Sequence, residues 1–190
     1  MNRRNAGAVE EIQRGITLLE LMIVLVIAGI FVTAAVPSFL TMIQNGRLVD
    51  AHNSLVSSLQ LTRSEAISRM QTVTICRSTT GAACGGNWEN GWIVFTDADA
   101  SATINGTDAI IAMSQALNNG VTIRSATINQ VTYNARGSTA NAGTLRVCDA
   151  RGASAASALI VSATGRVRNA SDGADADTIV EDGGGNIVCP

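Results

Sequence analysis

The feature that most constrains this chain is a run of 26 uncharged residues between Glu20 and Arg47. At 1.5 Å per residue a helix of that length covers about 39 Å, enough to cross a hydrocarbon layer of about 30 Å. From Ile16 to Ile43, 21 of 28 residues are apolar, whereas the remainder lies near about 40%, ordinary for a soluble domain. The overall 46% hydrophobic and 15% charged shares therefore average two unlike parts, and they exclude a disordered polyelectrolyte. Residues 1–15 are polar and place Arg3, Arg4 and Arg14 ahead of the run, against Glu10 and Glu11. That layout keeps the amino end cytoplasmic and exports the rest of the chain. The run is too long for the apolar core of an ordinary secretory signal.

Two residues mark the segment as more than an anchor. Glu20 lies among Leu18, Leu19, Leu21 and Met22, where an acid costs a few kcal/mol and points to function. Pro37 removes a helix hydrogen bond and predicts a kink. The stretch Arg14-Gly15-Ile16-Thr17-Leu18-Leu19-Glu20-Leu21 resembles the class III leader of type IV pilins and pseudopilins, with Ile16 where that family usually has phenylalanine. The resemblance implies that a prepilin peptidase removes residues 1–15 by cutting after Gly15, and methylates Ile16. The new ammonium then stands four residues before Glu20. In a filament of side-by-side helices the Glu20 carboxylate pairs with the amine of its neighbour, which offsets the cost of two charges in hydrocarbon.

Beyond the membrane segment 16–43, the residues Leu48, His52, Leu55, Leu59, Thr62, Ala66 and Met70 recur at steps of three and four. The spacing predicts an amphipathic helix over 44–70, with Asp50, Ser57, Gln60, Arg63 and Arg69 on its exposed side. His52 reads as a partly buried packing residue, away from any cleft. Past Gln71 the period becomes two, and seven short strands are expected: Thr72–Arg77, Gly91–Thr96, Ala109–Met113, Val121–Arg124, Gln130–Asn134, Thr144–Cys148 and Ala158–Ser162. The expected fold class is α+β, a long helix packed on an antiparallel sheet or small β-sandwich formed by residues 71–190.

Within this part, Leu61–Ile67, Thr74–Arg77, Trp88–Asp97, Cys148–Gly152 and Gly165–Arg168 resemble, in order, the GspH/FimT branch of minor pilins. The resemblance implies a pilin-like fold and no enzymatic activity. Its implied partners are other major and minor pilins or pseudopilins, the prepilin peptidase and the inner-membrane assembly platform. It implies a single-pass inner-membrane protein with a periplasmic carboxyl-terminal domain, later part of a pilus at the cell surface. The role the resemblance implies is priming or capping of pilus assembly, with a minor pseudopilin of a type II secretion system as the alternative. FimT-like members are associated with DNA uptake through a GRxR motif, matched here by Gly165, Arg166 and Arg168.

Charge placement bears on that last point. All 13 basic residues are arginine. Between Val121 and Ser171, Arg124, Arg136, Arg146, Arg151, Arg166 and Arg168 face a single acid, Asp149. Arginine suits bidentate phosphate contacts, which position a protein on double-stranded DNA without reading sequence. The competing reading is that Arg166 and Arg168 end a strand and bond the acidic run Asp172, Asp175, Asp177, Glu181 and Asp182.

No catalytic constellation is present, and no cofactor is expected. The only histidine is His52. The four cysteines allow three pairings; Cys76–Cys84, closing a short loop, and Cys148–Cys189, tying down the carboxyl end, are favoured. Without the second bridge the Asn169–Asn186 segment would wander. Metal binding by cysteines lacks CxxC spacing and a nearby histidine. The loop Asp97-Ala98-Asp99-Ala100-Ser101, with Asn105 and Asp108, echoes a calcium loop. However, Ala102 stands where glycine is needed and Asp108 where a bidentate glutamate is needed, so a solvated hairpin is expected and no metal is assigned. Glu20→Val is expected to leave membrane insertion intact and to exclude the subunit from filaments. Fractionation followed by immunoblotting of sheared filaments checks this; a normal filament signal would overturn the pairing.

Overall fold

The computed structural model describes residues 15–117, 120–172, 180–181 and 188–189. Residues 1–14 of the expected leader, acids Asp175, Asp177 and Asp182, the side chains of Asp172 and Glu181, and most of the 169–186 segment lie outside the described residues. The chain divides into two compact units, residues 1–42 and 43–190. One helix, α1, Leu18–Arg69, begins in the first and runs into the second.

In the first unit, Thr17 starts the helix by accepting the Glu20 N–H on its hydroxyl at 3.2 Å, a helix-capping contact. The large apolar side chains from Leu18 to Phe31 are exposed on every face. Pro37 lies inside α1, which continues through it. Proline offers no N–H to the Thr33 carbonyl. Nearby, the Thr33 hydroxyl bonds the Ile30 carbonyl and the Thr41 hydroxyl bonds the Pro37 carbonyl.

In the second unit the same helix becomes one-sided. Leu48, Ala51, Leu55, Leu59, Thr62 and Ala66 are buried, as the three-and-four spacing predicts. Met70 departs from that row: its φ of 51° ends the helix and leaves the side chain exposed. After the helix come the strands β1 Val73–Arg77, β2 Trp92–Thr96, β3 Ile110–Ser114, β4 Thr122–Arg124, β5 Gln130–Tyr133, β6 Gly143–Cys148, β7 Ser157–Val161 and β8 Val167–Asn169. A small antiparallel pair, β9 Ser171–Asp172 and β10 Val180–Glu181, completes the set. The seven expected strands are all present, within one residue at each end; β8 adds an eighth.

These strands form two antiparallel four-stranded sheets, ordered β3-β2-β1-β5 and β4-β6-β7-β8. Their inner faces share one core with the helix: Val73, Ile75 and Val94 from the first sheet, Ile123, Leu145, Val147 and Leu159 from the second. Strand periodicity decides which residues enter it. In β2, Trp92 and Val94 face the helix, and the Trp92 indole donates to the Ser58 hydroxyl at 2.8 Å. Ile93 and Phe95 face outward with Cys76 into a second cluster. The outer side of the second sheet carries a small cluster of Cys148, Ala156 and Ala158. Disulfides join Cys76 to Cys84 and Cys148 to Cys189, with Cα separations of 5.6 and 5.9 Å.

The 97–108 loop is not a solvated hairpin at its root. Asp97 is fully buried. Its carboxylate accepts the Thr74 hydroxyl at 2.6 Å and the N–H groups of Ser101 and Ala102. A buried polar side chain is retained only with such partners. Asp99 and Asp108 come close enough for the three carboxylates to lie within 4.8 Å of one another. Both are also bonded, Asp99 by Ser101 and Asn105, Asp108 by the N–H groups of Ala98 and Asn105. Asp97→Ala would strand the buried Ala102 N–H and remove one acceptor each from the Thr74 hydroxyl and the Ser101 N–H, and a loss of about 2 kcal/mol is expected. Chemical denaturation of the detergent-solubilised chain checks this; an unchanged midpoint would contradict it.

Candidate nucleic-acid interface

Two tight turns build the basic end of the second unit. In the first, after β5, the Asn134 side-chain oxygen accepts the N–H groups of Arg136 and Ser138, and Gly137 closes the turn on the Asn134 carbonyl. In the second, between β7 and β8, Gly165 closes on the Ser162 carbonyl, and the Ser162 hydroxyl accepts the Arg166 N–H. Both glycines have positive φ, 73° and 76°, a region that L-residues with a Cβ rarely occupy. The turns also touch. A Cβ on Gly165 would lie 1.9 Å from the Gly137 carbonyl oxygen, and Thr139 donates its N–H to the Ala163 carbonyl. Glycine at 165 therefore permits the backbone approach that brings Arg136 and Arg166 to neighbouring turns.

Strand alternation then sets Arg168. Val167 packs against the core, so Arg168 falls on the opposite side and pairs with Ile160 across the β7–β8 ladder, while Arg166 lies in the turn ahead of β8. Arg136, Arg166 and Arg168 are exposed. Arg146 lies on the same outer face, opposite Arg124 on β4 and Ala158 on β7. Two other basic groups are already engaged. Arg124 forms an ion pair with Glu89. Arg151 clasps Asp149 with Nε at 2.9 Å and Nη2 at 2.7 Å, and donates to Asn45 of the helix at 2.7 Å. Burial alone would raise the Asp149 pKa, but the Arg151 hydrogen bonds and charge outweigh it and hold the carboxyl below its usual range.

Arg63, expected on the exposed side of the helix, turns instead into the domain. Its Nε donates to the Gly137 carbonyl at 2.9 Å and its Nη2 to the Thr164 carbonyl at 3.3 Å, linking both turns to α1. The periodicity held the signal, since 63 lies four residues after buried Leu59 and three before buried Ala66. Arginine's charge masked it, because such side chains bury the stem and carry the head outward. Behind the turns, burial raises the Tyr133 pKa to about 12 despite the opposing charge of Arg63, so this hydroxyl stays neutral at physiological pH.

His52 is half-buried, as expected, but it lines a groove of about 530 Å³ with Asn45, Leu48, Ser157 and Asn169. The expectation that it stands away from any cleft is therefore corrected. Its ring nitrogens contact the Ser157 hydroxyl and the Asn169 side-chain oxygen, each at 3.0 Å, joining α1 to β7 and β8. Of the amino-terminal residues, Gly15 has open space around it and Ile16 is exposed.

Comparisons with known proteins agree with this architecture. The family model described as type II transport protein GspH matches residues 51–165, and the prokaryotic N-terminal methylation motif matches residues 12–36. Two crystal structures of the type IV minor pilin FimU from Pseudomonas aeruginosa share the fold. One, in space group P21, has 19% identity and a TM-score of 0.52, covering 66% of this chain and 90% of that chain. The other, in P65, has 18% identity and a TM-score of 0.50, covering 63% and 90%. Among curated protein sequences no match is found. The long apolar helix, the methylation motif and the two-sheet domain together make this chain a member of the GspH family of minor pilins and pseudopilins.

Proposed function

We propose that this chain is a minor type IV pilin. Prepilin peptidase cuts after Gly15 and methylates Ile16. Segment 16–43 holds the protein in the inner membrane, with the domain in the periplasm. The assembly platform then transfers it to a pilus, where it primes or caps assembly beside other pilins. The observation that carries this reading is the contrast along one helix. Its first part exposes apolar side chains on every face, while the part after Ile43 buries one stripe in a self-contained core. Water does not tolerate so large an apolar surface; lipid, and then the packed helices of a filament, do. The amine of Ile16 and the carboxylate of Glu20 give that packing its ionic partner. A minor pseudopilin of a type II secretion system is the second reading, favoured by the description of the matching family. Loss of the gene separates the two, since a pilin defect removes surface pili and a pseudopilin defect retains secreted enzymes in the periplasm.

The basic turns support a further role in contacting double-stranded DNA without sequence preference. Arg136, Arg166 and Arg168 lie together at one end of the domain, and among the described residues none has an ion pair. Arg151 of the set expected from sequence is clasped by Asp149. Arg166→Gln/Arg168→Gln is expected to lower the slope of log affinity against log salt by about 1.8, two phosphates at about 0.9 each. Fluorescence anisotropy of the detergent-solubilised chain with a DNA duplex measures this. Undetectable or salt-insensitive binding by the parent chain would remove the role.

A further inference from the structure

Arg63 is a half-buried cation whose hydrogen bonds go, among the described residues, to two carbonyls and to no carboxylate. Removing a charge from water is costly, and dipoles alone repay only part of that cost. Two of its nitrogens are committed, to Gly137 and Thr164, which leaves the two Nη1 hydrogens and one on Nη2. On its open side lies a cleft of about 240 Å³ lined by Gln60, Arg63, Gly165, Arg166 and Val167. The side chains of Gln60 and Arg166 have no hydrogen bond among the described residues, and both are exposed. Two guanidiniums and a primary amide thus border one cleft with no acid among its described lining residues. Like charges so placed repel until an anion enters between them.

We propose that this cleft is a phosphate site in which α1 contributes directly, through Arg63 and Gln60, opposite Arg166 of the β7–β8 turn. Resting on the DNA reading above, it assigns the ligand as one phosphodiester of the duplex backbone. Arg63 and Arg166 supply the charge, and the Gln60 amide donates to a remaining oxygen. The two main-chain bonds of Arg63 fix its guanidinium, so little side-chain freedom is lost when the phosphate enters. The site joins the helix to the turns and is not confined to the residues of the 165–168 strand entry.

The test uses the full chain in detergent micelles, a DNA duplex and a salt series. Arg63→Gln is expected to lower the salt slope by about 0.9. Because this variant also loses two main-chain bonds, Gln60→Glu is measured beside it; Gln60 is exposed and holds nothing in place. A new negative charge in the cleft is expected to weaken binding about fivefold at moderate salt. Gln115→Glu, which makes the same charge change at an exposed position on the loop after β3, is expected to leave affinity unchanged. Should Gln60→Glu bind like Gln115→Glu, and Arg63→Gln keep the parental slope, the helix has no part in the site. Arg166→Gln/Arg168→Gln then decides the DNA reading separately. A parent chain that does not bind the duplex would overturn both.

Discussion

Everything in the second unit depends on one buried stripe. Leu48, Ala51, Leu55, Leu59, Thr62 and Ala66 follow the helical period, and both sheets pack their inner faces into the same core. Burying a large aliphatic side chain contributes about 1.5–3 kcal/mol, so this stripe outweighs any single polar contact in the domain. The polar contacts add geometry. Ser58 takes the Trp92 indole, His52 takes Ser157 and Asn169, and Asn45 takes Arg151. Each joins a helix position to one particular strand or turn. Ahead of the stripe, the same helix exposes large apolar side chains all round.

Local features were legible in the residues, and long-range ones were not. The alternation in Trp92–Thr96 and Gly143–Cys148 marks strands because a half-buried sheet requires period two. The exchange of strands between sheets left no such mark. The chain leaves the first sheet after β3, pairs β4 in the second and returns β5 to the first, and only packing decides that. The three-residue strand β8, Val-Arg-Asn, shows in sequence only as the strand-like alternation of Arg166 and Arg168, too short to count beside the seven longer runs. Met70 matched the helical period, yet the positive φ that ends the helix there turns its side chain outward. Asp97 reads as a loop acid; its burial depends on Thr74, which lies 23 residues away in sequence.

The basic region shows the same division. Counting arginines located the segment 121–171, but the count did not say which charges remain available. Glu89 engages Arg124 and Asp149 engages Arg151, so neighbouring acids spend part of the excess. Two glycine turns in contact bring Arg136 toward Arg166 across 30 residues of sequence. Arg63 joins them from the helix. It was legible as a position on the buried face, but hidden by its residue type. The candidate interface is therefore a product of tertiary structure, while the methylation motif matched over residues 12–36 is linear and readable directly.

The central claim is that this chain becomes a processed pilin subunit, and the amino terminus found in isolated filaments tests it most directly. Mass spectrometry of the chain recovered from sheared filaments is predicted to find N-methylated Ile16 as the first residue, with residues 1–15 absent. Recovery in filaments with the leader attached, or with an unmethylated terminus elsewhere in the chain, would contradict the account.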